Sequence, residues 1–386
     1  MLSVPPISRS VAYLDWAFSM PGSATYDLTQ SGMPDAVTNV EVVARTAAAF
    51  DARASLDRSR AAEILEAFRG QVGRHYGIAP RNVVPTLGTS GAITQALLAL
   101  ARPGDDIVVE RPAYEPLWRI PRCLGMNVTP LERTFDGAWQ VLPDRLARLL
   151  TPRTRLVVLS NLHNPTGAPV APGVIAEVAD LARRVGANVF VDEVYLPFVP
   201  GASKAAGKDG ASDSKPRSGV HVADNVVVAA SMTKVFGLGA LRAGWLACQD
   251  PEVVSALERA AQFLHVVPPL PAFDLAGRLW DHASVLLERA RTLSAEGLRT
   301  LRRFLESQDR VRCAVPDFGL CAALVLPPAI RADVLVEHLH RRYDTLVVPG
   351  TFFEAPGLVR VGVGVPPRQL EQGLANLVAA IEDLEA

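Results

Sequence analysis

The chain has 386 residues, of which 49% are hydrophobic and 20% are charged, and its formal net charge is −1. This composition is typical of a globular enzyme with one large and one smaller domain. The near-neutral charge argues against nucleic acid or an anionic membrane as a partner. We find no signal peptide, and no apolar stretch approaches the roughly 18 residues that cross a membrane.

The cysteines are scattered through apolar sequence and show no paired spacing typical of a metal site. Buried free thiols are therefore the expectation, and they fit a reducing compartment. We predict a cytoplasmic protein without a bound metal. The cysteines are Cys123, Cys248, Cys313 and Cys321.

Short β-branched runs alternate with helical patterns through the middle of the chain. Apolar runs of this length are typical of strands that are buried on both faces, as in a parallel sheet covered by helices. The alternation predicts a large α/β domain over about residues 45–268. The strand-like runs are 107–109, 156–159, 188–191 and 225–228, and the clearest helical patterns are 93–101 and 174–185.

A proline-rich stretch, 268–271, marks a predicted boundary. We expect residues 269–386 to form a small α+β domain, and residues 1–44 to form an N-terminal arm and part of that domain. The predicted elements of the C-terminal part are a long helix over about 273–307, strands over 321–326 and 345–348, and a last helix from 366 to about 384.

Residues 201–219 interrupt the alternating pattern because they are rich in Gly, Ala, Ser and Lys. We interpret them as an exposed, mobile insertion between two strands. A tolerated loop and a functional lid both remain open interpretations.

Lys234 is the only one of the four lysines that lies in patterned, fold-like sequence, whereas the other three fall within the Gly/Ser-rich insertion. A desolvated lysine loses its proton far more readily than arginine, and only an amine forms a Schiff base with an aldehyde. The small, apolar and glycine-rich neighbours of Lys234 argue against an ordinary solvated lysine. Lys234 is therefore the leading catalytic candidate.

Two motifs earlier in the chain carry candidate binding groups. In the turn 86–93, Thr89 and Ser90 precede a helix whose first amides suit a phosphate. Asn164 belongs to an Asn-Pro-Thr-Gly turn directly after a strand, at the sheet edge where open α/β folds bind ligands. Taken alone, each motif also fits an ordinary connecting turn.

Asp192 and Tyr195 follow the strand 188–191. A carboxylate at the end of a buried strand needs a cationic partner, and a protonated pyridine nitrogen is one such partner. Tyr195 offers a hydrogen bond to a phenolate. A helix-capping Asp beside a half-buried Tyr is the alternative interpretation.

Three residues suit anions. Ser231 and Arg242 flank Lys234 and fit a phosphate dianion, which arginine contacts through two parallel hydrogen bonds. Arg360 lies inside an apolar strand, where it needs an anionic partner. That partner is either a substrate carboxylate or a structural carboxylate.

At these residues the chain resembles the pyridoxal-phosphate-dependent aminotransferases of fold type I, class I/II. The segment 231–244 matches the family's lysine attachment signature over its full length. Weaker likenesses occur in the family's order along nearly the whole chain. They are Glu66 to Arg69, Pro103 to Asp105, Pro112 to Tyr114, Pro316 to Gly319 and Val348 to Phe353.

The resemblance implies a fold type I enzyme, a homodimer, and pyridoxal 5'-phosphate (PLP) as the cofactor. Lys234 would form the internal aldimine and carry the proton, and Asp192 would keep the pyridine nitrogen protonated. Asn164 and Tyr195 would bind the ring oxygen, and Tyr114 would stack on the ring. Thr89, Ser90, Ser231 and Arg242 would hold the phosphate. Gly32 and Asn164 would lie beside the substrate, and Arg360 would bind its α-carboxylate.

The implied reaction moves an amino group between an amino acid and a 2-oxo acid through pyridoxamine phosphate. A β-lyase, or a synthase or cyclase of specialised amino-acid metabolism, is the alternative on the same site. A ligand-sensing regulator is disfavoured because no DNA-binding module precedes the first motif. One departure is that residues 51–63 lack the tyrosine that usually reaches the neighbouring subunit's phosphate.

An aromatic cluster lies near the N-terminus. We expect some of its members to cover an apolar or aromatic substrate, or else to pack the arm onto the small domain. The cluster consists of Tyr13, Trp16, Phe18 and Tyr26.

Overall fold

A computed structural model describes residues 10–20, 22–204 and 216–386 of the chain. Its largest element is a seven-stranded sheet with the strand order β2-β8-β7-β6-β5-β3-β4. Neighbouring strands from β7 to β4 run parallel, and β8 runs antiparallel to both β7 and β2. The strands are β2 Val83–Leu87, β3 Asp106–Arg111, β4 Asn127–Glu132, β5 Thr154–Ser160, β6 Asn188–Asp192, β7 Val226–Ser231 and β8 Ala243–Ala247.

The apolar runs of the sequence form the middle of this sheet because both of its faces are covered. Along β6, Val189 and Val191 pack into one apolar core, and Phe190 packs into a second core on the opposite face. Burial on both faces explains why these strands are apolar without alternation. The predicted α/β fold with a mostly parallel, helix-covered sheet is therefore confirmed.

Thirteen helices of the α type lie in the described ranges, and α5, α6 and α9 share one core with the sheet while α4, α8 and α10 share the other. The helices are α1 Ala12–Ser19, α2 Ala36–Asn39, α3 Glu41–Ala48, α4 Ala61–Tyr76, α5 Gly88–Leu100, α6 Glu115–Cys123, α7 Pro143–Leu149, α8 Pro172–Arg184, α9 Pro251–Leu264, α10 Leu270–Leu279, α11 Ala283–Glu306, α12 Ala332–Tyr343 and α13 Pro367–Glu385. Over the ranges given above, none of them combines the length and hydropathy of a membrane span.

The C-terminal part contains a second, antiparallel sheet with the order β11-β12-β9. Its own apolar core includes side chains of α12, α13 and the second half of α11. A short parallel pair, β1 with β10, ties the N-terminal segment to this part. These strands are β1 Tyr26–Asp27, β9 Cys321–Val325, β10 Thr345–Leu346, β11 Val348–Pro349 and β12 Leu358–Gly362.

The long helix expected over 273–307 is two helices in the structure. A short 3-10 turn, Trp280–His282, separates α10 from α11. Side chains of α10 and the first half of α11 belong to a core of the large sheet, and Leu298 and Leu301 belong to the C-terminal core. The boundary predicted between residues 268 and 269 stays a prediction, and from these contacts we propose a boundary within α11.

The interpretation of 201–219 as an insertion falls largely on residues 205–215, which lie outside the described residues. The described flanks are only partly exposed: Gly201 and Lys204 are exposed, whereas Ala202, Ser203, Ser218 and Gly219 are buried. Ser218 and the Gly219 amide both donate hydrogen bonds to Glu193, at 2.7 Å each. The flanks therefore belong to the packed part of the large domain.

Candidate active site

A cavity of about 590 Å3 opens at the carboxyl ends of the parallel strands β5, β6 and β7. Five parts of the chain meet at this edge of the sheet. They are the last residues of β5 and β6, the first turn of α5, the turn after β7, and one face of α1. The lining residues are Tyr13, Leu14, Ala17, Phe18, Ser31, Thr89, Ser90, Tyr114, Ser160, Asn164, Asp192, Val194, Tyr195, Thr233, Lys234, Gly239 and Arg242.

Lys234 reaches the cavity from the turn that follows β7. Its Nζ donates a hydrogen bond to Ser31 Oγ at 3.1 Å, and its carbonyl accepts one from the Met33 amide at 2.8 Å. Burial of the ammonium among protein atoms lowers the pKa of Lys234 below its usual value, and Tyr13 partly opposes this shift. The lysine is therefore more readily deprotonated than a solvated one, as a nucleophilic amine requires.

Gly32 lies directly against the lysine side chain. A Cβ atom at Gly32 would lie 3.1 Å from Lys234 Cδ, which is closer than ordinary packing allows. A side chain at Gly32 would therefore displace the side chain of Lys234.

Asp192 is the last residue of β6 and is only 5% exposed. Its Oδ1 accepts a hydrogen bond from the Val194 amide at 3.0 Å. Burial, followed by the nearby carboxylate of Glu110, raises the pKa of Asp192 to about 7. A buried carboxyl group with this proton affinity is suited to a cationic partner, such as a protonated ring nitrogen.

Arg360 and Asn164 join the two sheets. Arg360 lies on β12 and is fully buried, and its Nη1 donates to Asn164 Oδ1 at 3.2 Å. Its Nη2 donates to the Tyr13 hydroxyl at 3.1 Å and to the Thr29 carbonyl at 2.9 Å. Arg360 Nε is buried with no hydrogen-bond partner among the described residues. An unpartnered N–H of a buried guanidinium is suited to an anionic ligand.

The first turn of α5 forms a cradle with Arg242. A Cβ atom on Gly88 would lie 2.6 Å from Arg242 Nη2, so the guanidinium rests against the helix start only because Gly88 has no side chain. Thr89 Oγ1 donates to Ser231 Oγ at 3.0 Å, and Ser231 Oγ lies 2.7 Å from Thr233 Oγ1. Free helix amides, hydroxyl groups and a guanidinium together fit a phosphate dianion.

Two tyrosines complete the walls of the cavity. Burial raises the pKa of Tyr195 well above its usual value, although the positive charge of Arg360 opposes this. Burial likewise raises the pKa of Tyr114. Both phenols are therefore neutral hydrogen-bond donors at physiological pH.

The structure brings together all the residues that the sequence singled out, although their individual roles remain predictions. Most of them line the cavity directly, and Gly32, Ser231 and Arg360 lie immediately behind its walls through the contacts given above. The lining members are Thr89, Ser90, Tyr114, Asn164, Asp192, Tyr195, Lys234 and Arg242.

Ser31 and Tyr13 hold positions that the sequence did not reveal. Ser31 bonds Lys234, but its only sequence signal is that it precedes Gly32. Tyr13 was noted only as one of several aromatic residues, and its bond to Arg360 spans 347 positions of the chain. Glu115 holds Tyr13 in place by accepting hydrogen bonds from the Ala12 amide at 3.2 Å and the Tyr13 amide at 2.6 Å.

Of the other aromatic residues in the N-terminal cluster, Phe18 lines the cavity and Trp16 packs on Phe352, with ring centroids 5.6 Å apart. Tyr26 lies in β1, which pairs with β10. Within the described ranges, no group of three His, Cys, Asp or Glu residues is arranged to hold a metal ion.

Comparison with known proteins places this geometry in a family. Residues 26–377 match the family model described as aminotransferase class I and II. The chain is 31% identical over 318 residues to capreomycidine synthase of Streptomyces vinaceus, covering 81% of this chain and 78% of that protein. It is 30% identical over 225 residues to a probable N-succinyldiaminopimelate aminotransferase, DapC, of Mycobacterium tuberculosis, covering 56% of this chain and 54% of that protein.

The fold has a close structural counterpart. The crystal structure of a PLP-dependent aminotransferase from Streptococcus suis superimposes with a TM-score of 0.82 at 23% sequence identity, covering 97% of this chain and 98% of that one. The family match covers both sheets and all the residues that line the cavity except those on α1. The chain therefore belongs to the class I and II aminotransferases, and its cofactor is pyridoxal 5'-phosphate.

Proposed function

We propose that the protein is an aminotransferase that moves an amino group between an amino acid and a 2-oxo acid, with Lys234 as the catalytic amine. The observation that carries this proposal is the position of Lys234. Its amine, with a lowered pKa, shares one cavity with the Asp192 carboxylate and the Arg242 guanidinium. These three groups match three parts of the cofactor: the carboxylate suits its ring nitrogen, the amine suits its aldehyde, and the guanidinium suits its phosphate.

When bound, PLP supplies an aldehyde that condenses with amines and a pyridinium ring that withdraws electrons from the bond being broken. We assign its ring nitrogen to Asp192, its ring oxygen to Asn164 and Tyr195, and one ring face to Tyr114. The groups assigned to its phosphate are the cradle residues Thr89, Ser90, Ser231 and Arg242.

We assign the substrate carboxylate to Arg360, because its Nε is buried without a hydrogen-bond partner. The hydrogen bond from its Nη1 to Asn164, which lines the cavity, places the guanidinium next to the cofactor site. Gly32 leaves space beside the lysine for the substrate. Lys234 Nζ then carries a proton to and from the substrate α-carbon. Ser31 Oγ, at 3.1 Å, keeps this nitrogen within the cavity.

Replacing Lys234 by Ala tests the proposal. We expect amino-group transfer to fall roughly 1,000-fold or more, because both the covalent amine and the proton carrier are lost. The measurement is the formation of a 2-oxo acid from an amino acid, followed by chromatography. Lys204→Ala is the matched control, because Lys204 lies outside the cavity lining. Transfer by Lys234→Ala at the wild-type rate would refute the assignment.

A second candidate function uses the same site for a different outcome. The chain is 31% identical to a protein named as a synthase, so the β-lyase, synthase or cyclase alternative has support of its own. The proposed lysine, carboxylate and arginine roles fix cofactor and substrate binding and leave the fate of the substrate carbanion open. Product analysis separates the two: transfer yields one 2-oxo acid per amino group moved, whereas the alternative releases ammonia or a cyclised product.

We also propose that the protein is a homodimer. A dimer interface would cover exposed apolar side chains such as Phe263, Val266 and Leu56, which are 88%, 69% and 71% exposed. Light scattering of the full-length protein tests this, and a monomer at micromolar concentration would contradict it. All four cysteines are free, which is consistent with the proposed cytoplasmic location.

A further inference from the structure

A buried ion pair lies behind Asp192, and the proposed reaction does not use it. Glu110, on β3, and Arg133, directly after β4, have side chains that are 0% exposed, and Glu110 Oε2 accepts a hydrogen bond from Arg133 Nη1 at 2.6 Å. A buried pair of this kind gives little net stability, because both charges lose their hydration. Stability alone is therefore a weak reason for its presence.

Ser160 connects this pair to the cavity. It is the last residue of β5, it donates a hydrogen bond to Glu110 Oε1, and it lines the cavity together with Asp192. In the pairing of β5 with β6, Ser160 lies directly opposite Asp192. The Glu110 carboxylate is therefore held two strands away from the carboxylate assigned to the cofactor ring.

The charges around Asp192 are few. Glu110 raises the proton affinity of Asp192, in addition to the larger effect of burial, and Lys234 lowers it. His163 lies 3.9 Å from Glu110, but burial and the nearby Arg133 lower its pKa well below the usual value, so it is neutral.

Two further titratable groups face Asp192. Burial raises the pKa of the adjacent Glu193 to about 8, and burial also raises that of Tyr114. Both groups are largely neutral near pH 7. Burial raises the pKa of Glu110 too, but its ion pair with Arg133 and its hydrogen bond with Ser160 oppose this shift. Among the described residues that surround Asp192, Glu110 is therefore the main negative charge, and Arg133 is its direct counterion.

We propose that Glu110 and Arg133 form a charge-balancing pair that sets how readily Asp192 carries the negative charge that holds a protonated pyridine ring. Glu110, fixed by Ser160, disfavours a second negative charge nearby, and Arg133 keeps the buried Glu110 ionised. Both are positioning residues, since they act through Asp192 without touching the cavity. The inference rests on the role of Asp192 in the proposed function.

Both single substitutions in the pair should remove the negative charge of Glu110. Glu110→Gln removes it directly and keeps the shape, so Asp192 ionises more readily. Arg133→Met removes the cation that holds down the pKa of the buried Glu110, so Glu110 takes up a proton and Asp192 again ionises more readily. A pair that served packing alone would instead weaken cofactor binding in both variants.

An exposed ion pair on the same strands provides a matched control. Arg111 and Glu132 are neighbours of Glu110 and Arg133 in sequence, they lie opposite each other in the β3–β4 register, and their side chains are 38% and 42% exposed. Solvent screens such a pair. Arg111→Met should therefore leave Asp192 unaffected.

The experiment compares the affinity of the full-length protein for PLP with its affinity for an analogue that has carbon in place of the ring nitrogen. Only PLP has a ring nitrogen that can pair with the Asp192 carboxylate. The ratio of the two affinities therefore reports the negative charge on Asp192, without any measurement of turnover. Near neutral pH, we expect both Glu110→Gln and Arg133→Met to raise the ratio, each about threefold to tenfold, as expected for a change of half to one pKa unit. Arg111→Met should leave it unchanged.

The double variant Glu110→Gln/Arg133→Met keeps the test decisive if Arg133→Met does not fold, because it leaves no buried charge unpaired and its ratio should also exceed the wild-type value. Suppose that Asp192→Asn changes the ratio, but Glu110→Gln and Arg133→Met either leave it unchanged or both lower it. This result would overturn the inference about the pair and leave the proposed function standing. If Asp192→Asn leaves the ratio at its wild-type value, the proposed cofactor arrangement itself fails.

Discussion

Arg360 is a fully buried arginine whose guanidinium contacts three separate parts of the chain. Its partners are Asn164 in the turn after β5, Tyr13 on α1, and the carbonyl of Thr29 between them in sequence. The rings of Tyr13 and Phe353 lie 5.5 Å and 5.4 Å from it. One side chain therefore fixes the N-terminal arm and keeps an unpartnered Nε–H, which the proposed function assigns to a substrate carboxylate.

Arg360→Lys keeps the charge and loses the planar fork of donors. Hydrogen bonds to charged groups contribute about 1.5–3 kcal/mol, so kcat/KM for the amino acid should fall roughly tenfold to 100-fold, mainly through KM. Steady-state kinetics measure this, with the visible absorption of the bound cofactor as a check on the fold. Arg303→Lys, on the exposed surface, is the control. An unchanged KM would contradict the assignment of Arg360.

The Tyr13 hydroxyl accepts a hydrogen bond from Arg360, and its own hydrogen is free for a ligand. Burial raises the pKa of this phenol, but the charges of Arg360 and Lys234 outweigh burial and hold the pKa below its usual value. Tyr13→Phe should raise KM by up to about tenfold, as expected for one hydrogen bond. Tyr343→Phe is the control, because that hydroxyl bonds Asp383 on the exposed surface. Equal kinetics for the two variants would remove Tyr13 from the substrate site.

The sequence identified the residues that sit in local motifs. Asp192 ends a buried strand, and Lys234 and Asn164 lie in the turns that follow two others, so the motifs alone place them at one sheet edge. Ser31 and Tyr13 could not be assigned in this way, because their positions depend on contacts with distant residues that no local pattern encodes.

The segment between β1 and α2 is the element that links the small sheet to the catalytic lysine. The Leu28 amide bonds the Leu346 carbonyl at 2.8 Å, and the Leu28 carbonyl accepts from the Gly362 amide at 2.6 Å. A few residues later, Ser31 and Met33 contact Lys234. The close contact of this segment with β12 therefore fixes where Ser31 and Met33 lie.

Gly362→Ala tests this close approach. A Cβ atom at Gly362 would lie 2.0 Å from the Gln30 carbonyl oxygen, and this backbone atom moves only if the whole segment moves. We expect a loss of about 1–3 kcal/mol in the free energy of unfolding, with reduced activity because Ser31 shifts. Denaturant unfolding measures the loss. Gly357→Ala, where no atom lies within 4 Å of the added Cβ, should be nearly neutral. Equal stabilities of the two variants would contradict the account.

The turn after β6 carries a second buried carboxyl group, Glu193. Burial raises its pKa to about 8, although hydrogen bonds from Ser218 and Gly219 favour the charged form. The unfolded chain has a glutamate pKa of about 4.3. Between these two values the folded protein binds more protons than the unfolded one, so its free energy of unfolding decreases as the pH rises.

Glu193→Gln should remove this component of the pH dependence. As the pH rises from about 5 to about 8, the stability of the variant should therefore improve steadily relative to the wild type. Denaturant unfolding at a series of pH values gives the difference. Glu371→Gln, at an exposed position, should show a constant difference. A constant difference for Glu193→Gln as well would show that Glu193 ionises in the folded state as it does in the unfolded chain.

Elements with strong local patterns were the predictable ones. The apolar strands β3, β5, β6 and β7 were located from sequence because burial on both faces leaves an uninterrupted apolar run. The break between α10 and α11 was missed, since Trp280–His282 contains neither Gly nor Pro. The buried flanks of the 201–219 segment were also missed, because small residues carry little information about burial.

At the scale of the whole molecule, the site lies between the two sheets. Asp192 and Asn164 come from the large sheet, Arg360 comes from the small one, and α11 packs into the cores of both. The family match spans this arrangement, because it covers residues 26–377. In the proposed function, substrate binding by Arg360 and proton transfer by Lys234 would therefore both depend on the contacts that hold the sheets together.

The visible absorption spectrum of the purified full-length protein, recorded with an amino acid and then with a 2-oxo acid, tests transamination through Lys234 most directly. The account predicts a cofactor band that an amino acid converts and a 2-oxo acid restores, and the loss of this cycle in Lys234→Ala. A band that converts without restoration while ammonia or a cyclised product is released would contradict transamination. A Lys234→Ala protein that cycles like the wild type would contradict the central role of the lysine.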